Sequence, residues 1–131
     1  MNPFTKHELE YLLSDRRLAR LATVGPDGMP HVTPVGWSLN PELGTVDVGG
    51  HDLAEIKKFR DAAQSRRAAI VIDGVVPPSQ PRGVEVRAEA EAIEGPPALI
   101  RLHPRRILSW GLESSAFGSR RARDVVGRPE E

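Results

Sequence analysis

Apolar and polar positions alternate along this chain in short bursts, and the clearest burst opens at Leu18. The segment 18–24, LARLATV, alternates with a period of two, as a half-buried strand requires. GPDG at 25–28 reads as a hairpin turn, with Pro26 fixing the first corner and Gly25, Asp27 and Gly28 tolerating positive φ. A second arm runs from Met29 to Leu39. Its prolines, Pro30 and Pro34, cannot donate to a ladder, so part of this arm lies at an edge or faces something other than a strand, such as a ligand. After a turn at Asn40–Gly44, Thr45–Val48 is a third strand. Arg67–Val76 is an apolar, β-rich run, and Gly83–Ile93 alternates strictly, with Glu85, Arg87, Glu89 and Glu91 on its wet face. Two short strands, Leu99–Leu102 and Arg106–Trp110, are split by Pro104.

Helical periodicity is confined to two places. Thr5 and Glu8 form a capping box, Phe4 and Leu9 a hydrophobic staple, and Leu9, Leu12 and Leu13 a buried stripe. A second helix starts at Asp52 with Glu55 in its first turn; Leu53, Ile56, Phe59 and Ala63 share one face, and Lys57 and Lys58 sit in its middle. Residues 113–131 are polar, Arg-rich and aperiodic, which predicts a mobile or partner-docked tail. Six or seven strands with short hairpin connections predict a mainly β (α+β) antiparallel sheet curled into a barrel, with helices over its ends. No G-x-G-x-x-G follows a strand and no G-x-x-x-x-G-K-[ST] occurs, so Rossmann and P-loop readings fail.

Composition narrows the partners. A chain of 131 residues is one domain, 1–131, and 18 basic against 18 acidic residues give no global field to draw in nucleic acid or an anionic membrane. The absence of cysteine excludes disulfides, thiolate metal sites and Cys nucleophiles, and fits a reducing cytoplasm. No apolar run approaches the roughly 18 residues of a membrane helix.

Four histidines, His7, His31, His51 and His103, show no ligand spacing, so no metal is expected; His31 and His51 are the two placed to line a pocket, or are ordinary surface or capping histidines. Ser109, Ser114 and Ser115 lack a G-x-S-x-G context, against a hydrolase. Lys57 and Lys58 follow the Gly49-Gly50 bend, where an ammonium meets a phosphate as a point charge, or else they form a solvated helix face. Trp37 and Trp110 are core residues or stacking surfaces for a flat ligand. Arg105-Arg106 suits an anionic tail or the acidic face of the long strand. These residues describe a small barrel suited to a flat, phosphorylated ligand.

In order and spacing, the segment 20–28 (RLATVGPDG), Pro30-His31-Val32, Pro34-Val35, Gly49-Gly50-His51-Asp52 with Lys57-Lys58, Arg67–Asp73, the segment 81–87 (PRGVEVR) and RLHPRRILSWGL at 101–112 resemble the pyridoxamine 5'-phosphate oxidase-like family. They look like its actinobacterial branch, which uses the deazaflavin coenzyme F420. The resemblance implies a six- to seven-stranded split β-barrel of the FMN-binding type with two or more short helices, assembled as a homodimer with cofactor at the subunit interface. Carried over by position, Thr33, Pro34, Val35 and Gly36 would border the ring, Gly49 and Gly50 would admit it to the third strand, and Lys57 and Lys58 would hold the phosphate; Trp110 would come from the second subunit. Many relatives have Asn-Pro where this chain has Ser65-Arg66, and the oxidase's Arg-Ser-Arg-Lys-Gly segment is absent. That sets aside oxidation of pyridoxamine phosphate and puts FMN second to F420. The implied activity is an F420H2-dependent reductase acting on a small organic substrate, a conjugated enone or quinone such as a tetracycline-type polyketide intermediate. The alternatives are an FMN-dependent oxidase or reductase and a non-catalytic flavin- or tetrapyrrole-binding protein.

Overall fold

A computed structural model describes residues 2–14, 18–113 and 120–125. Its elements are α1 (Lys6–Ser14), β1 (Ala19–Val24), β2 (Pro30–Val35), β3 (Trp37–Asn40), β4 (Thr45–Val48), a 3-10 turn (Leu53–Glu55), α2 (Lys57–Ser65), β5 (Arg67–Val76), β6 (Gln80–Ile93), β7 (Leu99–Trp110) and β8 (Arg120–Asp124). All eight strands belong to one antiparallel sheet in the order β2-β1-β5-β6-β7-β4-β3, with β8 alongside β7.

The two ends of that order are neighbours in the chain. β2 ends at Val35 opposite Ala19, β3 begins at Trp37 opposite Val48, and Gly36 alone separates them. Two Cα–Cα steps span at most about 7.6 Å. The sheet therefore has to curl until its edges meet, which makes it a split barrel. The expected single arm at 29–39 is two strands for this reason: its halves serve opposite edges.

Alternation sorts the side chains. Leu21, Ile70, Ile72, Val84, Val86, Ile100, Leu102 and Ile107 fill the interior, joined by Val46, Val48, Leu53 and Phe59. Each such side chain removed from water contributes about 1.5–3 kcal/mol. The outer face of β6 carries Glu85, Arg87, Glu89 and Glu91, as the alternation predicted.

Several boundaries differ from expectation. β7 is one strand, because Pro104 falls at a register shift in the β6–β7 ladder and between the stretches paired with β4 and β8. Within the expected tail, 120–124 form β8; residues 114–119 and 126–131 lie outside the described ones. α2 begins at Lys57, so the lysines stand at its N-terminus and not in its middle; Asp52 takes a left-handed φ of 54° and makes no side-chain cap. Ala62 is buried where Ala63 was expected, and Ile56 is exposed.

The capping box is present, with Thr5 N donating to Glu8 at 2.9 Å and Glu8 N to Thr5 Oγ1 at 3.2 Å. Glu8 does more than cap. It is fully buried and accepts from Ser109 Oγ at 2.7 Å and from both Arg123 terminal nitrogens at 3.0 and 2.6 Å. A carboxylate thus takes the place on the inward face of α1 beside Tyr11 and Leu12, and Leu13 is left 68% exposed. Burial works to raise the Glu8 pKa, but the hydrogen bonds from Arg123, the Thr5 amide and Ser109, with the Arg123 charge, hold it below the usual 4.5. A depressed folded pKa gives stability that is present above 4.5 and lost as pH falls through the folded value. Arg123→Ala, which leaves the carboxylate buried without its counter-charge, should cost about 3 kcal/mol by urea denaturation at neutral pH. The stability gap between the parent chain and Glu8→Gln should narrow as the same measurement is taken below pH 4.5.

Candidate functional site

Edge strand β2 forms one side of the candidate site. Opposed residues share a face, so Thr33 and Val35 point inward with their partners Leu21 and Ala19, while Pro34, opposite Arg20, points outward. Val35 is part of the core, so only its backbone can border a ligand; Pro34 is exposed. Both prolines of β2 lie on an edge, as their missing donors require. Thr33 Oγ1 is buried with no hydrogen-bond partner among the described residues.

Beyond Val35 the backbone is open. Gly36 and Gly49 are each one step past the Trp37–Val48 pair, so they face each other at the end of the β3–β4 ladder, with Gly50 next in line. A Cβ built on Gly36, Gly49 or Gly50 would meet nothing within 4 Å. β4 is held below this corner by Arg101, which donates to Asp47 at 3.2 and 3.0 Å; that bonding raises the Arg101 pKa despite its partial burial. Trp37 is partly buried against the core.

The lysines mark the other end. Lys57 Nζ lies 3.3 Å from where a Cβ on Gly25 would stand, so α2 starts against the β1–β2 turn, with His31 Nε2 3.5 Å from the same point. β2 joins this turn to the glycine corner over about 20 Å at about 3.4 Å per residue. The first turn of α2 has no acidic residue, although two ammonium groups stand at the positive end of its dipole. Lys57 donates to the buried Asp61 at 2.8 Å. His51 is exposed beside Asp52.

The structure gathers Thr33, Gly36, Gly49 and Gly50 at one corner and sets Lys57 and Lys58 at the far end of the same strand. Trp110 is set apart from them along the sheet: it ends β7 opposite Gly83, four strands from β2, a path of roughly 19 Å along the curled sheet at about 4.8 Å per strand. Its indole lies across Gly83, 2.8 Å from where a Cβ would be.

Pattern reading missed a cleft of about 720 Å³ on the outer face, lined by Ala22, Pro30, Arg67, Ala69, Arg87 and Glu89 among others. Arg66 and Arg105 both pair with Glu89 there, at 3.1 and 2.6 Å, so the acidic strand is the partner of Arg105; Arg106 pairs with Asp124 instead. The alternating charges of β6 were the available signal, but only strand pairing shows which arginines they meet. Among the described residues no group of three or more His, Asp or Glu is placed to hold a metal ion.

A flat ring with a phosphate arm fits this arrangement: open backbone at three glycines and cations a strand-length away. A curled antiparallel sheet with these features defines a split barrel of the flavin-binding class. The chain belongs to the pyridoxamine 5'-phosphate oxidase family, whose model matches residues 5–126. It is 38% identical, over 95% of its length and 94% of the relative, to a 5a,11a-dehydrotetracycline/5a,11a-dehydrooxytetracycline reductase of Streptomyces rimosus. Among solved structures it resembles an F420 reductase (TM-score 0.60, 20% identity, 75% of this chain and 94% of that one). It also resembles a FAD-binding protein of Mycobacterium smegmatis (TM-score 0.63, 21% identity, 81% of this chain and 92% of that one).

The unsatisfied hydroxyl is open to test without ligand. Thr33→Val removes it at nearly constant shape, and a buried donor left unmade costs about 1–3 kcal/mol. The variant should therefore unfold about 1 kcal/mol later than the parent in urea; equal or lower stability would mean that Oγ1 is satisfied in solution.

Proposed function

We propose that this chain is an oxidoreductase that uses reduced coenzyme F420 to reduce a conjugated, planar enone of the polyketide type. The near full-length similarity to a reductase named for dehydrotetracyclines carries the reading, and the likeness to an F420 reductase fold supports it. When bound, the reduced deazaflavin supplies the hydride.

The chain's own residues supply position. Gly36, Gly49 and Gly50 let the ring approach the backbone, because no side chain stands between. Thr33, like Val35, borders the ring by its backbone, since its hydroxyl lies on the inward face and is shut off from the surface. The start of α2 takes the phosphate arm, with Lys58 as a point charge and the helix dipole behind it. Shielding by the barrel keeps water from the reacting ring, and protonation of the substrate is left to solvent.

The proposed assembly is a homodimer. Trp110 stands four strands from β2 along the sheet of its own chain, which supports a reading in which a second copy brings it to the ring. Sedimentation at micromolar concentration should give a dimer; a monomer would remove Trp110 from the site.

An FMN-dependent oxidase or reductase is the second reading, favoured by the FAD-binding neighbour of the same fold. Titration of the purified chain with F420 and with FMN, followed by fluorescence, decides between them. Micromolar binding of F420 with weaker FMN is expected. The reverse order would establish the second reading, and tight binding without turnover of any acceptor would make the protein a flavin carrier.

A further inference from the structure

Position alone would give Lys57 and Lys58 the same task, yet the structure treats them differently. Lys57 reaches back along α2 to Asp61, one turn on, at 2.8 Å. The Asp61 side chain is only 5% exposed, and Lys57 is its hydrogen-bond and ion-pair partner among the described residues. An isolated carboxylate that deep would be strongly unfavourable, so Lys57 is committed to it. The same ammonium lies over the β1–β2 turn, where a Cβ on Gly25 would be 3.3 Å away and the Asp27 carboxylate stands equally close to that point. Helix α2 packs on β1 and β6, and Lys57 fastens its first turn to the hairpin. Lys58, half-buried, has no acidic partner among the described residues.

We infer that the two lysines are divided in function: Lys57, with Asp61, is a clamp that seats α2 on the β1–β2 turn, and Lys58 alone is the cation presented to a phosphate. Asp61 is then a positioning residue, acting on the site through the placement of the helix start. This inference rests on the phosphate-binding reading of α2 proposed above only for the part played by Lys58; the clamp stands on geometry without any ligand.

A double-mutant cycle on the whole chain tests it, with urea denaturation and F420 fluorescence titration as separate readouts. Lys57→Met, which leaves the buried Asp61 carboxylate without its ammonium, should lower the folding equilibrium constant at least tenfold, and Asp61→Leu, which leaves only the half-exposed Lys57, should lower it less. The double variant Lys57→Met/Asp61→Leu replaces the pair by apolar groups and should return to within threefold of the parent. That double variant should bind F420 within threefold of the parent, whereas Lys58→Met should fold normally and bind it at least tenfold more weakly.

Additive effects of the single substitutions, or a double variant no more stable than Lys57→Met, would overturn the clamp. A well-folded double variant that binds F420 more than tenfold more weakly would return Lys57 to the ligand. Loss of no affinity in either Lys58→Met or the double variant would overturn the phosphate reading of α2 itself, while the denaturation cycle still judges the clamp.

Discussion

The strands at the two edges of this sheet are consecutive in the chain, and the single residue between them, Gly36, obliges the sheet to curl until its edges meet. Much of the molecule follows from that closure. The aliphatic face shared by β1, β5, β6 and β7 becomes an interior, and the outer face keeps the charges. Closure is incomplete, because β2 pairs with β1 on one side only. An unpaired edge is a hazard in most sheets; here two prolines occupy it, and at its end three glycines leave open backbone. The place where the barrel splits is the place where three glycines leave the backbone without side-chain neighbours.

A second constraint ties the ends of the chain together. Glu8 sits where an amphipathic helix would carry an aliphatic residue, and it is tolerated there because Ser109 on β7 and Arg123 on β8 donate to it. A capping residue of α1 is thereby also the anchor of the last described strand. Removing a partner from such a buried network costs more than the bond itself, since the remaining charge stays desolvated.

Cations at the site are sorted by their partners, not by their spacing. Adjacent lysines at a helix start look equivalent in sequence, but a helix turns about 100° per residue, so Lys57 faces Asp61 and the hairpin turn while Lys58 does not. The arginines of the outer face divide in the same way: Arg66 and Arg105 converge on Glu89, and Arg87 is held by Glu85. Family membership supplies the expectation of a flavin-type cofactor; the partners of each charge decide which side chains are left to meet it.

Local chemistry was legible in the residues themselves. Period-two alternation marked β1, β4 and β6, and a continuous apolar run marked β5, nearly to their ends; the GPDG and Asn40–Gly44 turns formed where their glycines and asparagine placed them, and the Thr5–Glu8 box closed as its spacing required. These features depend on φ preferences and side-chain reach within a few residues, which the sequence carries. What it does not carry is distance between remote segments. The break of one arm into β2 and β3, the continuity of β7 through Pro104, the docking of β8, the burial of Glu8 and the separation of Trp110 from the glycine corner all depend on strand order. Strand order is fixed by which apolar faces can be buried together, a property of the whole chain, and only the tertiary structure decides it.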